Sequence, residues 1–157
     1  MNLYLFDSSS IRVMNNYYPN SHTSFWYNLR SFTLDGKILS VDQVYQELAD
    51  QDVKPYVLEW MEENKRIFRT PTTEESRLVA KIFAVQKFQE SLKQKQRIKK
   101  GAFADPWLVA AGKIYDACVV TEERKPKHSS HIPNICEYFD VPCTNMEGFL
   151  DRNGWQF

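Results

Sequence analysis

LYLFDSSS, residues 3–10, decides how the rest of the chain is read. Leu3 to Phe6 form a short, wholly apolar run with no polar alternation, the pattern of a strand covered on both faces. The run stops at Asp7, and Ser8, Ser9 and Ser10 are helix-capping types, because a short side-chain oxygen can accept N–H groups that a first helical turn leaves unpaired. Ile11, Val13 and Met14 supply the apolar face of a first helix, which Tyr17-Tyr18-Pro19 breaks. Asp7 is therefore expected at the carboxyl end of a buried strand, where a helix begins.

Outward from this stretch, strands and helices alternate. Thr23 to Phe32 carries Phe25, Trp26, Leu29 and Phe32 at helical spacing and ends near Asp35-Gly36. KILSV (Lys37 to Val41) reads as a second strand, with Asp42 capping a helix through Val44, Tyr45, Glu47, Leu48 and Ala49. Lys54-Pro55 opens a helix over Tyr56 to Asn64, Arg66 to Arg69 reads as a short strand, and Thr72 with Glu75 forms a capping-box pattern. One long helix from Glu74 to about Phe88 is expected, since Leu78, Val79, Ile82, Phe83, Val85 and Phe88 keep its period. Its apolar stripe suits packing on a sheet or a homodimer contact equally. Lys87 to Lys100 is rich in Lys, Gln and Arg, so its exposed face is basic. Asp105-Pro106 starts a helix containing Trp107, Leu108, Ala110, Ala111 and Ile114. Ala117 to Val120 is a further buried strand ending at Thr121 and Glu122-Glu123-Arg124-Lys125, followed by a helix over Ile132 to Phe139, a strand over Val141 to Thr144 and a last helix over Met146 to Asp151. Such alternation predicts an α/β fold with a parallel sheet between layers of helices, and ligand sites beyond the strands' carboxyl ends.

The chain's 157 residues suit one domain, and 43% apolar with 14% aromatic residues provide a core that argues against disorder. Lys plus Arg and Asp plus Glu balance at 20 each, so no global field steers a polyanion to the protein and a local patch must hold one. Cys118, Cys136 and Cys143 lack CxxC spacing and lie in apolar segments, which reads as reduced, buried thiols. The amino terminus lacks the basic and long apolar regions of a signal peptide and no window approaches a membrane span, so a cytoplasmic protein is expected.

The chemistry lies in acids at strand ends. Asp7 follows the first strand, Glu122 and Glu123 a later one, Asp105 opens a helix nearby, and Glu47 can join from the helix after the second strand. Carboxylates brought together repel, and their pKa values rise unless a cation neutralises them. Hard oxygen ligands without His or Cys favour Mg²⁺ or Mn²⁺, which can lower the pKa of a bound water and neutralise charge on a phosphate. Taken singly, each acid also has an ordinary structural reading: Asp7 as a helix cap, Asp105 as a first-turn residue favoured by the helix dipole, Glu47 as a solvated face, Glu122-Glu123 as a charged turn. Their joint placement separates the two readings. His128 and His131 have HxxH spacing, but the loop around them is the simpler reading.

Together LYLFDSSS, VYQEL, ADPWLVAAG and ACVVTEE resemble, in order and spacing, the motifs of PIN-domain nucleases, and particularly VapC-like toxins of bacterial toxin–antitoxin pairs. The resemblance implies a three-layer α/β/α fold with a mostly parallel five-stranded sheet, and Mg²⁺- or Mn²⁺-dependent hydrolysis of RNA. It assigns Asp7, Glu47, Asp105 and Glu123 as catalytic, metal-binding acids, with Glu122 the alternative fourth ligand. Glu123 stands where the family more often has aspartate. Ser8, Ser9 and Thr121 fall at hydroxyl positions that support the metal or orient a carboxylate. Arg124, Lys125 and Lys127 after the acidic turn, with Lys99 and Lys100 before Asp105, are the expected RNA contacts. Tyr17 and Tyr18 are the exposed aromatics, whereas Trp26, Trp60 and Trp107 read as core or interface. A toxin of this type implies an antitoxin partner. The rival expectation is a PIN-like module that binds RNA or a protein partner without cleaving.

Overall fold

The computed structural model describes residues 2–49, 53–99 and 103–156. Its centre is a five-stranded, wholly parallel sheet of order β3-β2-β1-β4-β5, built from β1 (Tyr4–Phe6), β2 (Ile38–Val41), β3 (Phe68–Arg69), β4 (Cys118–Val120) and β5 (Cys143–Thr144). Tyr4, Leu5 and Phe6 align with Cys118, Val119 and Val120, and Tyr4 and Leu5 with Ile38 and Leu39. The three residues of β1 are all buried, as an apolar run without alternation requires.

Helices cover both faces, giving the three-layer α/β/α sandwich. Side chains alternate along a strand, so Tyr4 and Phe6 share one face and Leu5 the other. On the first face lie α2 (Thr23–Leu34) and α9 (Met146–Arg152), where the Phe149 ring meets Tyr4 at 4.8 Å and Phe6 at 5.0 Å edge to face. Such aromatic pairs contribute about 0.5–1.5 kcal/mol each beyond their burial. On the opposite face α7 (Asp105–Tyr115) crosses β1, β2 and β4, with α5 (Thr73–Ala84) and α8 (Ile132–Tyr138) packed beside it. Val79 and Ile82 of α5 are buried in this layer, so the stripe on that helix packs internally. The remaining helices are α1 (Ser8–Val13), α3 (Asp42–Ala49), α4 (Pro55–Glu63) and α6 (Gln86–Lys99).

Most expected elements are present with shifted ends. Asp7, not a serine, caps α1, and Asp42 is the first residue of α3 instead of its cap. Lys65–Ile67 is a 3₁₀ turn, leaving only Phe68–Arg69 in β3, and the capping box of Thr72 and Glu75 is formed in full. The single helix expected from Glu74 to about Phe88 is instead two. Val85 adopts extended backbone (φ −68°, ψ 115°), and its carbonyl accepts from Phe88 and Gln89 to start α6 afresh. Apolar spacing does not register such a break, because Val85 and Phe88 still pack. The break redirects the basic segment across the sheet's carboxyl edge. Lys100 and Gly101 lie outside the described residues. Among the described residues, no helix is long and apolar enough to cross a membrane.

α7 approaches the sheet closely at Gly112, where an added Cβ would stand 2.8 Å from Val141 Cγ1 and 3.0 Å from Val119 Cγ2. Replacing Gly112 by Val should lower stability by at least about 2 kcal/mol through overpacking, read as a shift of the urea midpoint. An unchanged midpoint would show that α7 is free to move off the sheet.

Candidate functional site

In a parallel sheet all strands end at one edge, and the order here places β1 and β4 side by side while their connections depart in opposite directions. Asp7 and Thr121 leave the sheet together at this switch point. The Asp7 N–H donates to the Val120 carbonyl at 3.1 Å, and Thr121 Oγ1 donates to Asp7 Oδ2 at 2.5 Å. Asp7 Oδ1 accepts from the Ser10 N–H at 2.8 Å, capping α1, and Ser9 Oγ lies 2.8 Å from both carboxylate oxygens. The capping reading therefore holds for one oxygen, while the other is drawn across to β4. The same hydroxyls fix the turn after β4: Ser9 Oγ accepts from the Glu122 N–H at 2.8 Å and Thr121 Oγ1 from the Glu123 N–H at 3.1 Å.

Glu47, on the buried side of α3, accepts from Ser8 Oγ at 2.6 Å through Oε1 and from Lys99 Nζ at 2.8 Å through Oε2. Asp105 is the first residue of α7, buried, with Oδ2 3.9 Å from Lys95 Nζ. Glu123 Oε1 accepts from the Ile132 N–H at 3.0 Å, where α8 begins. Glu122 is exposed and engaged elsewhere, its Oε1 accepting from the Met146 N–H of α9 at 2.8 Å.

Charge interactions show which acids share a site. Burial pushes the Asp105 carboxyl up to about 8, helped by the negative charges of Glu123 and Glu47 and opposed by Lys95 and Lys99. Burial likewise raises Asp7 to about 6, against the hydrogen bonds from Thr121, Ser10 and Ser9, with Glu123 adding to the rise. Burial alone would lower the Lys99 ammonium, but its hydrogen bond to Glu47 and the charges of Glu47, Asp105 and Glu123 hold it above its usual value. Glu123 thus acts on both Asp7 and Asp105, and Glu47 acts on Asp105, which links the four acids through Glu123 and Asp105, whereas the charge of Glu122 acts on Tyr17.

The donor set is all oxygen, from four carboxylates and the hydroxyls of Ser8, Ser9 and Thr121, which fits a hard divalent cation. Asp7, Glu47, Asp105 and Glu123 are the residues that would hold it. As they stand, no three or more His, Cys, Asp or Glu side chains among the described residues are arranged as a metal cage. Lys99 and Lys95 contact two of the acids instead.

Beside Thr121 and Glu123 opens a cavity of about 380 Å³, which runs over Cys136, Cys143 and Asn145 but does not reach Asp7, Glu47 or Asp105. Lys125 and Glu137, an ion pair, also border a second cavity of about 510 Å³, lined by Lys87, Lys127 and His128. Arg124 is exposed, and His131 Nδ1 lies 3.1 Å from its carbonyl oxygen. The two histidines of the HxxH spacing therefore face different surroundings. Lys100 falls outside the described residues. Tyr18 is exposed as expected, but Tyr17 is half-buried and stacks on Phe25 at 4.3 Å. Cys118 and Cys136 are buried free thiols, and Cys143 is half-buried.

A family profile described as a domain of unknown function, DUF4411, matches residues 4–157. The chain belongs to the DUF4411 family. The matched DUF4411 span contains all four acids and both lysines of the cluster. A search of curated proteins gives no match to the chain.

Lys95 is the site residue that sequence reasoning missed. Its signal is the four-residue spacing Ser91, Lys95, Lys99, which places all three on one face of α6.

The raised acids set a pH dependence. Asp7 and Asp105 keep protons in the folded chain at pH values where the unfolded chain, with carboxyls near 3.8, has released them. Their contribution to stability is present at low pH and is lost as pH rises, through about 6 for Asp7 and about 8 for Asp105. The metal-free protein should thus lose stability from about pH 4 to pH 8, by up to about 1.4 kcal/mol per pH unit for each proton, with Asp105 alone contributing above about pH 6. Asp105→Asn should flatten the upper part of that decline. Thermal melts in chelator across this range check it, and stability that rises with pH would contradict it.

Proposed function

We propose that the chain is a divalent-cation-dependent endoribonuclease of the PIN type, acting as the toxin of a toxin–antitoxin pair. The observation that carries this reading is the convergence of Asp7, Glu47, Asp105 and Glu123, from four distant stretches, past the carboxyl edge of a parallel sheet. Mg²⁺ or Mn²⁺ bound there would supply the charge that activates water and offsets the charge developing on the phosphate. The chain's own residues provide the rest. Thr121 and Ser9 orient Asp7, Ser8 orients Glu47, and the Ile132 N–H fixes Glu123. Arg124, Lys125 and Lys127, which follow the acids in the chain, are assigned to the strand's phosphates on the resemblance of the motifs, and Lys125 would first have to leave its ion pair with Glu137. The toxin role and the preference for RNA rest on the resemblance of the four motifs. An antitoxin would silence such a site by placing an arginine among the carboxylates.

A second reading, a module that binds RNA or a protein partner without cleavage, is favoured by the commitments of two acids. Glu123 is tied to the start of α8 and Glu47 to a lysine, so each must be released or shared before it can ligate a cation.

Cleavage of single-stranded RNA in Mg²⁺ distinguishes the two. The proposed nuclease loses at least about 100-fold of its activity in Asp7→Asn and in Asp105→Asn while both variants remain folded, and its products carry 5′-phosphates. Cleavage by these variants at the wild-type rate would overturn the catalytic assignment. A wild-type protein that binds RNA and cuts none would favour the second reading.

A further inference from the structure

α6 brings a fixed row of polar side chains to the acidic cluster. Ser91 Oγ lies 2.6 Å from Ser130 Oγ, and one turn later Lys95 Nζ donates to the Ser130 carbonyl at 3.1 Å while standing 3.9 Å from Asp105 Oδ2. Ser130 is wholly buried, so these contacts anchor the helix across the site. A further turn along, Lys99 Nζ reaches Glu47 Oε2 at 2.8 Å. Lys95 is thus held from two sides. Lys99, whose side chain is 45% exposed, contacts the cluster through Glu47 alone and has solvent beside it.

Both oxygens of Glu47 are occupied: Oε1 by Ser8 and Oε2 by Lys99, with the Glu47 side chain only 6% exposed. A cation that takes Glu47 as a ligand through Oε2 competes with the ammonium for that oxygen, because two positive charges at contact distance repel and the divalent ion is the stronger partner. Once displaced, Lys99 sits on a four-carbon stem at the rim of a site whose negative charge the cation has offset, so its ammonium is left seeking an anion. The anion that the proposed reaction brings to that rim is the phosphodiester.

We propose that Lys99 is a substrate-phosphate ligand that holds the cation's place on Glu47 until the cation binds, and then contacts a non-bridging oxygen of the RNA phosphate. Lys95 stays with Ser130 and Asp105 and positions the α6 row. The proposal rests on the metal-dependent nuclease reading and goes beyond it by giving one lysine two successive partners.

Two measurements test it with Lys99→Met, which keeps the stem and removes the charge, and with Lys99→Gln as a second variant should the first fail to fold. Calorimetric titration of metal-free protein with Mn²⁺ should show binding tightened about 3- to 10-fold in the variants, because the competing ammonium is gone. RNA cleavage at saturating Mn²⁺ should fall at least about 10-fold in the same variants, with Lys99→Arg recovering part of it. Variants that bind Mn²⁺ no more tightly than the wild type overturn the place-holding role. Tightened Mn²⁺ binding with undiminished cleavage overturns the phosphate contact. A wild type and variants that all bind no Mn²⁺ overturn the nuclease reading, and this proposal with it.

Discussion

Negative charge confined out of water is the constraint around which this molecule is arranged. Asp7, Glu47 and Asp105 are all buried, and a buried carboxylate must be protonated, hydrogen-bonded or paired. Each of the three meets this differently. Asp7 collects donors from Ser9, Ser10 and Thr121, Glu47 takes a hydroxyl and an ammonium, and Asp105 has a distant lysine and a strong hold on its proton. The last is the least compensated group. It is also where a cation would relieve the most strain, since it feels both Glu123 and Glu47.

The fold explains why charge collects here. Three-residue β1 and β4 pair in register, so the residues that follow them, Asp7 and Thr121, emerge as neighbours with no freedom to separate. α7 is pressed onto the sheet by the absence of a side chain at Gly112, which sets where its first residue, Asp105, lies. On the other face, Phe149 wedges against Tyr4 and Phe6 and stiffens the strand that ends at Asp7. Packing on both sides of a short strand thus becomes precision at its end, which a site built from short carboxylates requires.

The apolar runs and their acidic stops were legible in the sequence because burial on both faces leaves no alternation to confuse strand with surface. Asp7 and the Glu122-Glu123 pair could be placed at one edge from that pattern, since parallel strands all end together, whereas Asp105 at a helix start and Glu47 within a helix were joined to them by the resemblance of the four motifs. What could not be read was what each acid touches. Glu122 and Glu123 are adjacent and chemically alike, and only the backbone N–H groups of Met146 and Ile132 separate them. The break at Val85 left no mark in the hydrophobic period, because Val85 and Phe88 pack as a continuous helix would have them. For the same reason Lys95 read as part of a solvated basic face, and Lys99, expected to contact RNA, gave no sign that it reaches Glu47. Their inward turn depends on the direction α6 takes after the break, which is a tertiary fact.

Basic side chains beside an acidic cluster can hold it together or hold it in reserve. Here the cluster retains lone pairs on buried, hard oxygen atoms, and Lys99, the cation on Glu47, is a half-exposed side chain able to move away. The most direct test is anomalous diffraction from crystals equilibrated with Mn²⁺. The account predicts a manganese peak among the carboxylates of Asp7, Glu47 and Asp105. A map with no peak there, or with manganese bound only at other carboxylates, would contradict it.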